Sequence, residues 1–313
     1  MNNYKQYGTH LFISFSEEVP KPITGKNFRI LFSDVKQKLG KEYLIKHEII
    51  IEAKSIFRAQ FVCDLIICSM CVLEGHLLLG IRDTAVYPLD SNSVEKPLYD
   101  CQMVECQTEG FPLACKLAAK ISFHSSYVNA VNKFLLSCEI HSTHWVDLDP
   151  THSPQIPLSP FTYDHLRYGY AITLAYSIVE ELKLGVNASN EKLSLKNGKW
   201  NPEVKKDLER RLISSKIDIN DPFIWERRGS KKTLEKRRPI TPLKKAPWSY
   251  GNVRDCEILL IDAINNISFL RSRIIAHKVD RNIELLSVYD VSNAQRLARR
   301  LILESLGFWK LNK

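Results

Sequence analysis

The sequence lacks the glycine patterns that cradle nucleotides. There is no G-x-x-x-x-G-K-[ST] loop and no G-x-G-x-x-G turn, so nucleotide-driven and dinucleotide-dependent chemistry have no support. It also lacks G-x-S-x-G, the elbow that presents a serine nucleophile. No apolar run is long enough to cross a bilayer. The most apolar one, Phe61 to Leu73, is short and carries Asp64, so it predicts a buried helix and no membrane partner. The opening MNNYKQYGTHLF has no basic stretch followed by an apolar one, which makes a cytoplasmic chain the expectation. Eight cysteines are present, but Cys68 and Cys71 form the one C-x-x-C, with no second pair at zinc-finger spacing. The thiols are expected to be reduced core residues, with no metal and no cofactor.

What is present is ordinary in bulk and uneven in detail. A chain of 313 residues, 44% hydrophobic and 25% charged, can bury about two domain cores. Residues 1 to 35 hold two strand-like runs, HLFISF and FRILF. From about Ile49 to Leu73 the pattern is helical and apolar, and HLLLGI after it is strand-like. One long helix is predicted from about Leu113 to Ile140. Between Pro150 and Pro160 four prolines resist helix and sheet alike, which marks a boundary between domains at 1–150 and 160–313. The second half predicts four helices. They run from Tyr163 to Leu184, from an Asn201 cap with Pro202 in the first turn, from Val253, and from a Ser292/Gln295 capping box to Gly307. The fold class expected is mainly α: a helical bundle preceded by a helix-rich α+β N-terminal domain.

The third of these helices carries the most informative segment. Val253, Cys256, Leu260, Ala263, Ile267, Leu270 and Ile274 step by three and four along one stripe, and the next position on it is His277. Arg271, Ser272 and Arg273 precede that histidine. Arginine is a forked phosphate donor, and histidine moves protons near neutral pH. Together they could cleave RNA through its own 2′-hydroxyl without a metal. A structural reading stands beside this one, in which His277 is capped and the arginines pair with Asp262 or Asp280.

Charge is concentrated as well. Of the net +9, most lies between Arg227 and Lys245, where Arg227, Arg228, Lys231, Lys232, Lys236, Arg237, Arg238, Lys244 and Lys245 face a single Glu235. Trp225 and Trp248 flank the run. Basic residues release counterions from a polyanion and aromatics stack on bases, so RNA is the expected partner; a solvated surface loop is the plain alternative. A second cluster, His141, His144, Asp147, Asp149 and His152, offers donors suited to a divalent metal, though no helix face organises them.

LRSRIIAH resembles the R-x(4–6)-H signature of HEPN (higher eukaryotes and prokaryotes nucleotide-binding) domains, late in a long helix, over residues 160 to 313. Five residues separate Arg271 from His277, and Ser272 fills the polar slot after the arginine. On a regular helix Arg271 lies about 120° from His277 and Arg273 lies close to it, so both arginines are candidates. Val279 replaces the tyrosine of the R-x4-H-x-Y toxin subclass. The resemblance implies a HEPN-like helical bundle with a basic insertion at 227–245, acting as a metal-independent endoribonuclease. Such enzymes often belong to toxin or antiphage-defence systems and build a composite site across a homodimer. His277 would be the acid or base, Arg271 and Arg273 the phosphate ligands, and Ser272 their orienter. Residues 1–150 would be a sensor, and an unidentified regulatory protein a further partner. An inert HEPN-like module that binds nucleic acid or protein is the other reading.

Overall fold

The structure is a computed structural model that describes residues 4–14, 21–39, 42–77, 84–89, 110–141, 163–189, 194–196, 199–226, 244–245, 256–275, 286 and 288–312. Seven α-helices and three antiparallel sheets occur among them, a mainly α fold. The chain separates into two compact units, residues 1–74 with 78–131, and 75–77 with 132–313. The second unit thus begins before the expected boundary, and the proline-rich run lies outside the described residues.

The first unit is built on a five-stranded sheet in the order β2-β3-β4-β1-β5. β1 is Lys5–Ser14, β2 Ile23–Gly25, β3 Phe28–Leu39, β4 Glu42–Ala53 and β5 Tyr87–Pro88. FRILF falls within β3 and HLFIS within β1, while Phe15 lies outside the described residues. Helix was expected from Ile49, but Ile49, Ile50 and Ile51 are strand, paired with Phe32, Leu31 and Ile30. Three successive β-branched side chains are stiff at χ1 and fit a pleated surface better than a helical one. Helix α1 therefore begins at Ile56 and runs to Glu74. Its 19 residues make it long and apolar enough to cross a membrane, which corrects the short run read from the sequence. Yet two-thirds of that window is buried in the protein, the burial expected for Phe61 to Leu73. Close approach fixes one glycine. A Cβ on Gly8 would lie 2.2 Å from the Tyr87 ring, whose hydroxyl reaches Glu48 and docks β5 on the sheet edge.

The helix expected from Leu113 to Ile140 is two helices, α2 (Gly110–Ile121) and α3 (Ser125–Ile140). Ser122 breaks it. Its hydroxyl bonds back to the Ala119 carbonyl at 2.6 Å and accepts the Lys26 amide at 2.9 Å, competing with the helix ladder.

In the second unit α4 (Tyr163–Glu181) and α5 (Pro202–Ser214) cover the expected spans. Leu166 and Tyr170, which the apolar spacing of α4 puts inward, are however exposed, and Ala171, Ile172, Ala175 and Val179 are buried instead. Asn201 caps α5 by accepting the Glu203 amide at 3.1 Å, with Pro202 first in the helix. Replacing Asn201 by Ala should cost about 1 kcal/mol in denaturant unfolding, and an unchanged midpoint would show that the cap is idle. Helix α6 spans Leu260–Phe269 and α7 spans Val288–Ser305. The proposed capping box at Ser292 is not a helix start, since α7 already begins at Val288. Gln295 is buried and donates instead to Ser137 Oγ and the His141 carbonyl, at 3.1 and 2.8 Å. The expected stop at Gly307 holds. Its φ of +77° lets the Phe308 amide bond Leu303 and the Gly307 amide bond Glu304, closing the last turn.

Six cysteines (63, 68, 71, 115, 138 and 256) are buried thiols, as expected of core residues. Burial pushes the Cys63 and Cys115 thiols well above their ordinary range, which makes them unreactive.

Candidate functional site

The helix expected from Val253 does not reach that far back. Past the short hairpin of β6 (Leu195–Lys196) and β7 (Lys199–Trp200), Cys256–Ile258 is a strand, β10, held on both sides. On one side Cys256, Glu257 and Ile258 pair with Trp225, Ile224 and Phe223 of β8 (Phe223–Trp225). On the other side Cys256 and Glu257 pair with Lys245 and Lys244 of β9 (Lys244–Lys245). Two partner strands satisfy the backbone here, which overrides a helical spacing that three residues cannot enforce alone. Val253 lies outside the described residues.

β10 leads through Leu259 into α6. Its Leu260, Ala263, Ile264 and Ile267 are buried against α4, α5 and α7, so the apolar stripe is real from Leu260 onward. Asp262, in the first turn where a negative charge suits the helix dipole, accepts Trp200 Nε1 at 2.7 Å. It is not an arginine partner.

Beyond Phe269 the helix changes type. Leu270–Ile275 is a π-helical stretch, hydrogen-bonded i to i+5. The α-helical step that put His277 on the apolar stripe stops at Phe269 and does not carry through these six residues. His277 and the side chain of Arg273 lie outside the described residues. Arg271 and Ser272 are half-buried. Arg271 Nη2 is 3.5 Å from Glu180 Oε1, and its guanidinium lies 5.9 Å from the centre of the Tyr176 ring. The acid that meets it is thus Glu180 of α4 and not Asp262; Asp280 lies outside the described residues. Tyr176 is buried, which raises its phenol pKa, while a hydrogen bond with Ser268 pulls the other way.

The basic segment emerges from the same sheet. Trp225 ends β8 and is 3% exposed, so it is a core residue unable to stack on a base. Trp248 lies outside the described residues. Glu226 follows Trp225, and Asn293 of α7 clasps its backbone, accepting the amide at 2.9 Å and donating to the carbonyl at 2.8 Å. Arg296 reaches the Glu226 carboxylate at 2.8 Å. Arg227, Arg228, Lys231, Lys232, Lys236, Arg237 and Arg238 lie outside the described residues, and the run re-enters at β9 with Lys244 and Lys245.

Sequence reasoning missed the polar face of α7. Asn293, Arg296, Arg300 and Glu304 recur at helical spacing, and Asn293, Arg300 and Glu304 are buried. That recurrence inside an apolar helix was the available signal. Arg300 donates to Glu304 Oε2 at 3.1 Å and to the carbonyls of Asp218, Asp221 and Pro222 at 2.9 to 3.1 Å. Glu304 in turn accepts the Asp218 amide at 3.0 Å. Together these groups lock residues 218–226 against α7.

Of the metal-type cluster only His141 is described. It is buried against the Tyr168 ring, centroids 4.7 Å apart. Among the described residues no three His, Cys, Asp or Glu side chains gather in a way that could hold a metal. Compared with known proteins, no family model matches the chain, nor does any curated sequence or solved structure.

Proposed function

We propose that the second unit is a HEPN-like, metal-independent endoribonuclease that works as a cytoplasmic homodimer, of the kind used as toxins or antiphage effectors. The reading is supported by one topological fact. The strands that bound the basic segment, β8 and β9, flank the single strand that feeds α6. The two ends of the basic segment, Glu226 and Lys244, and the helix that leads to Arg271 and Ser272 therefore belong to one sheet-and-helix assembly. Ten residues of α6 span about 15 Å. The seventeen residues between Glu226 and Lys244 are long enough for about 25 Å out and back, which covers that distance.

In this reading the basic residues draw the RNA backbone in and Arg271 or Arg273 holds the scissile phosphate. The ribose 2′-oxygen attacks phosphorus and the bond to the 5′-oxygen breaks. His277 either takes the 2′-hydroxyl proton or returns one to the leaving oxygen, and Ser272 orients the arginines. The π-helical stretch fits this role, because such interruptions recur at functional sites. Glu180 is no obstacle. It and Arg271 are 46% and 39% exposed, and a pair so hydrated contributes at most about 1 kcal/mol, which a phosphate can displace.

The pairing with Glu180 is also what favours a second reading, an inert module that binds RNA without cutting it. Neutralising Lys231, Lys232, Lys236, Arg237 and Arg238 tests the part common to both. RNA affinity should fall, and the slope of log affinity against log salt should flatten by about 0.7 for each lost phosphate contact. An unchanged slope would remove the segment from the RNA path.

A further inference from the structure

One end of the first unit brings three chain segments to a single residue. Lys26 lies in the β2–β3 turn. Its amide donates to Ser122 Oγ at the α2–α3 corner, and its carbonyl accepts Arg58 from the first turn of α1. The residues beside those two anchors are large, apolar and in water. Phe57 is 85% exposed, Phe123 53% and Ile56 40%. Rings this exposed add less to folding than buried ones, and two of them at one junction form an apolar contact surface. Around them charge has one sign. Residues 21–29, 52–58 and 116–124 contain seven Lys or Arg and a single acid, Glu52, which pairs with Arg29 at 3.1 Å. Lys26, Lys54 and Lys120 are exposed there.

We propose that this end of the first unit, with Phe57 and Phe123 flanking Lys26, is a docking site for single-stranded RNA, separate from the basic segment of the second unit. The choice of RNA among polyanions rests on the function proposed above. Exposed aromatics among lysines suit a strand that alternates bases and phosphates, the rings stacking on unpaired bases and the ammonium groups meeting the backbone. A bilayer suits the site less well. Insertion needs one continuous apolar face, and here Lys26 and Arg58 interrupt it.

The test is binding of a labelled single-stranded RNA, and of its duplex form, to the full chain carrying His277→Ala, with and without Phe57→Ala and Phe123→Ala. Each ring removed should weaken single-strand binding about fivefold or more, while duplex binding and thermal midpoint stay as they were. Single-strand affinity that survives the double substitution would overturn the proposal, as would an equal loss on the duplex. Ring-dependent partition onto anionic vesicles, with RNA binding unaltered, would overturn it in favour of a lipid surface. Because nothing is cut in this background, the outcome is independent of catalysis. A chain that cuts no RNA but binds it through both rings would end the nuclease reading and leave this one standing.

Discussion

Replacing His277 by Ala is expected to lower the rate of RNA cleavage by roughly 10² to 10⁴, the usual contribution of a positioned acid or base, while leaving RNA affinity within about twofold. The asymmetry follows from the division of labour. In the proposed function affinity resides in many cations, those of residues 227–245 and those around Lys26, and His277 adds none of it. Its work is confined to the moment when a proton leaves the 2′-oxygen or joins the 5′-oxygen. Rates and dissociation constants measured side by side separate the readings. Equal rates for both chains would exclude His277 from the chemistry and leave the second unit as a binding module whose Arg271 does no more than pair with Glu180.

The largest stability effect should come from Arg300→Met. The Arg300 side chain is 3% exposed and donates to three backbone carbonyls and to Glu304, whose side chain is 8% exposed. A methionine of similar length fills the space but donates nothing. Three carbonyls lose a donor, and a buried carboxylate loses its counter-charge. Breaking one side of a buried pair costs about 3 to 5 kcal/mol, against at most about 1 for the exposed Arg271–Glu180 pair. For a unit of this size that should lower the thermal midpoint by roughly 6 to 20 °C. Adding Glu304→Leu should recover part of the loss, because the stranded carboxylate goes with it. Residues 218–226 are the stem of the basic segment, so RNA affinity should weaken along with stability. A midpoint shifted by less than about 2 °C would show that water replaces these bonds at little cost.

Legibility in the sequence followed how far each signal depends on neighbours. Asn201 and Pro202 start α5 by local chemistry alone, and Gly307 ends α7 because it tolerates a positive φ; both were readable. Phe61 to Leu73 was readable as a buried helix because its apolarity runs all round. Ile49–Ile51 and Cys256–Ile258 were misjudged as helix for one shared reason. A short apolar run fits either period, and the partners that decide lie at Ile30–Phe32 in the first case and at Phe223–Trp225 and Lys244–Lys245 in the second. The break at Ser122 was invisible for the same cause, since the Lys26 amide comes from 96 residues away. At the candidate site the residue types were readable but not their phase. A 3.6-residue period cannot foresee a π-helical stretch at Leu270–Ile275, and Glu180 and Tyr176 reach Arg271 from another helix. Phe57, Phe123 and Lys26 carry no motif at all; only folding joins them.

The account is tested most directly by incubating wild-type protein with bulk cellular RNA in excess EDTA and analysing the new ends. It predicts cleavage that leaves 2′,3′-cyclic phosphates, the product of attack by the neighbouring 2′-oxygen. RNA that stays intact, or is cut only once magnesium or manganese is restored, would contradict it.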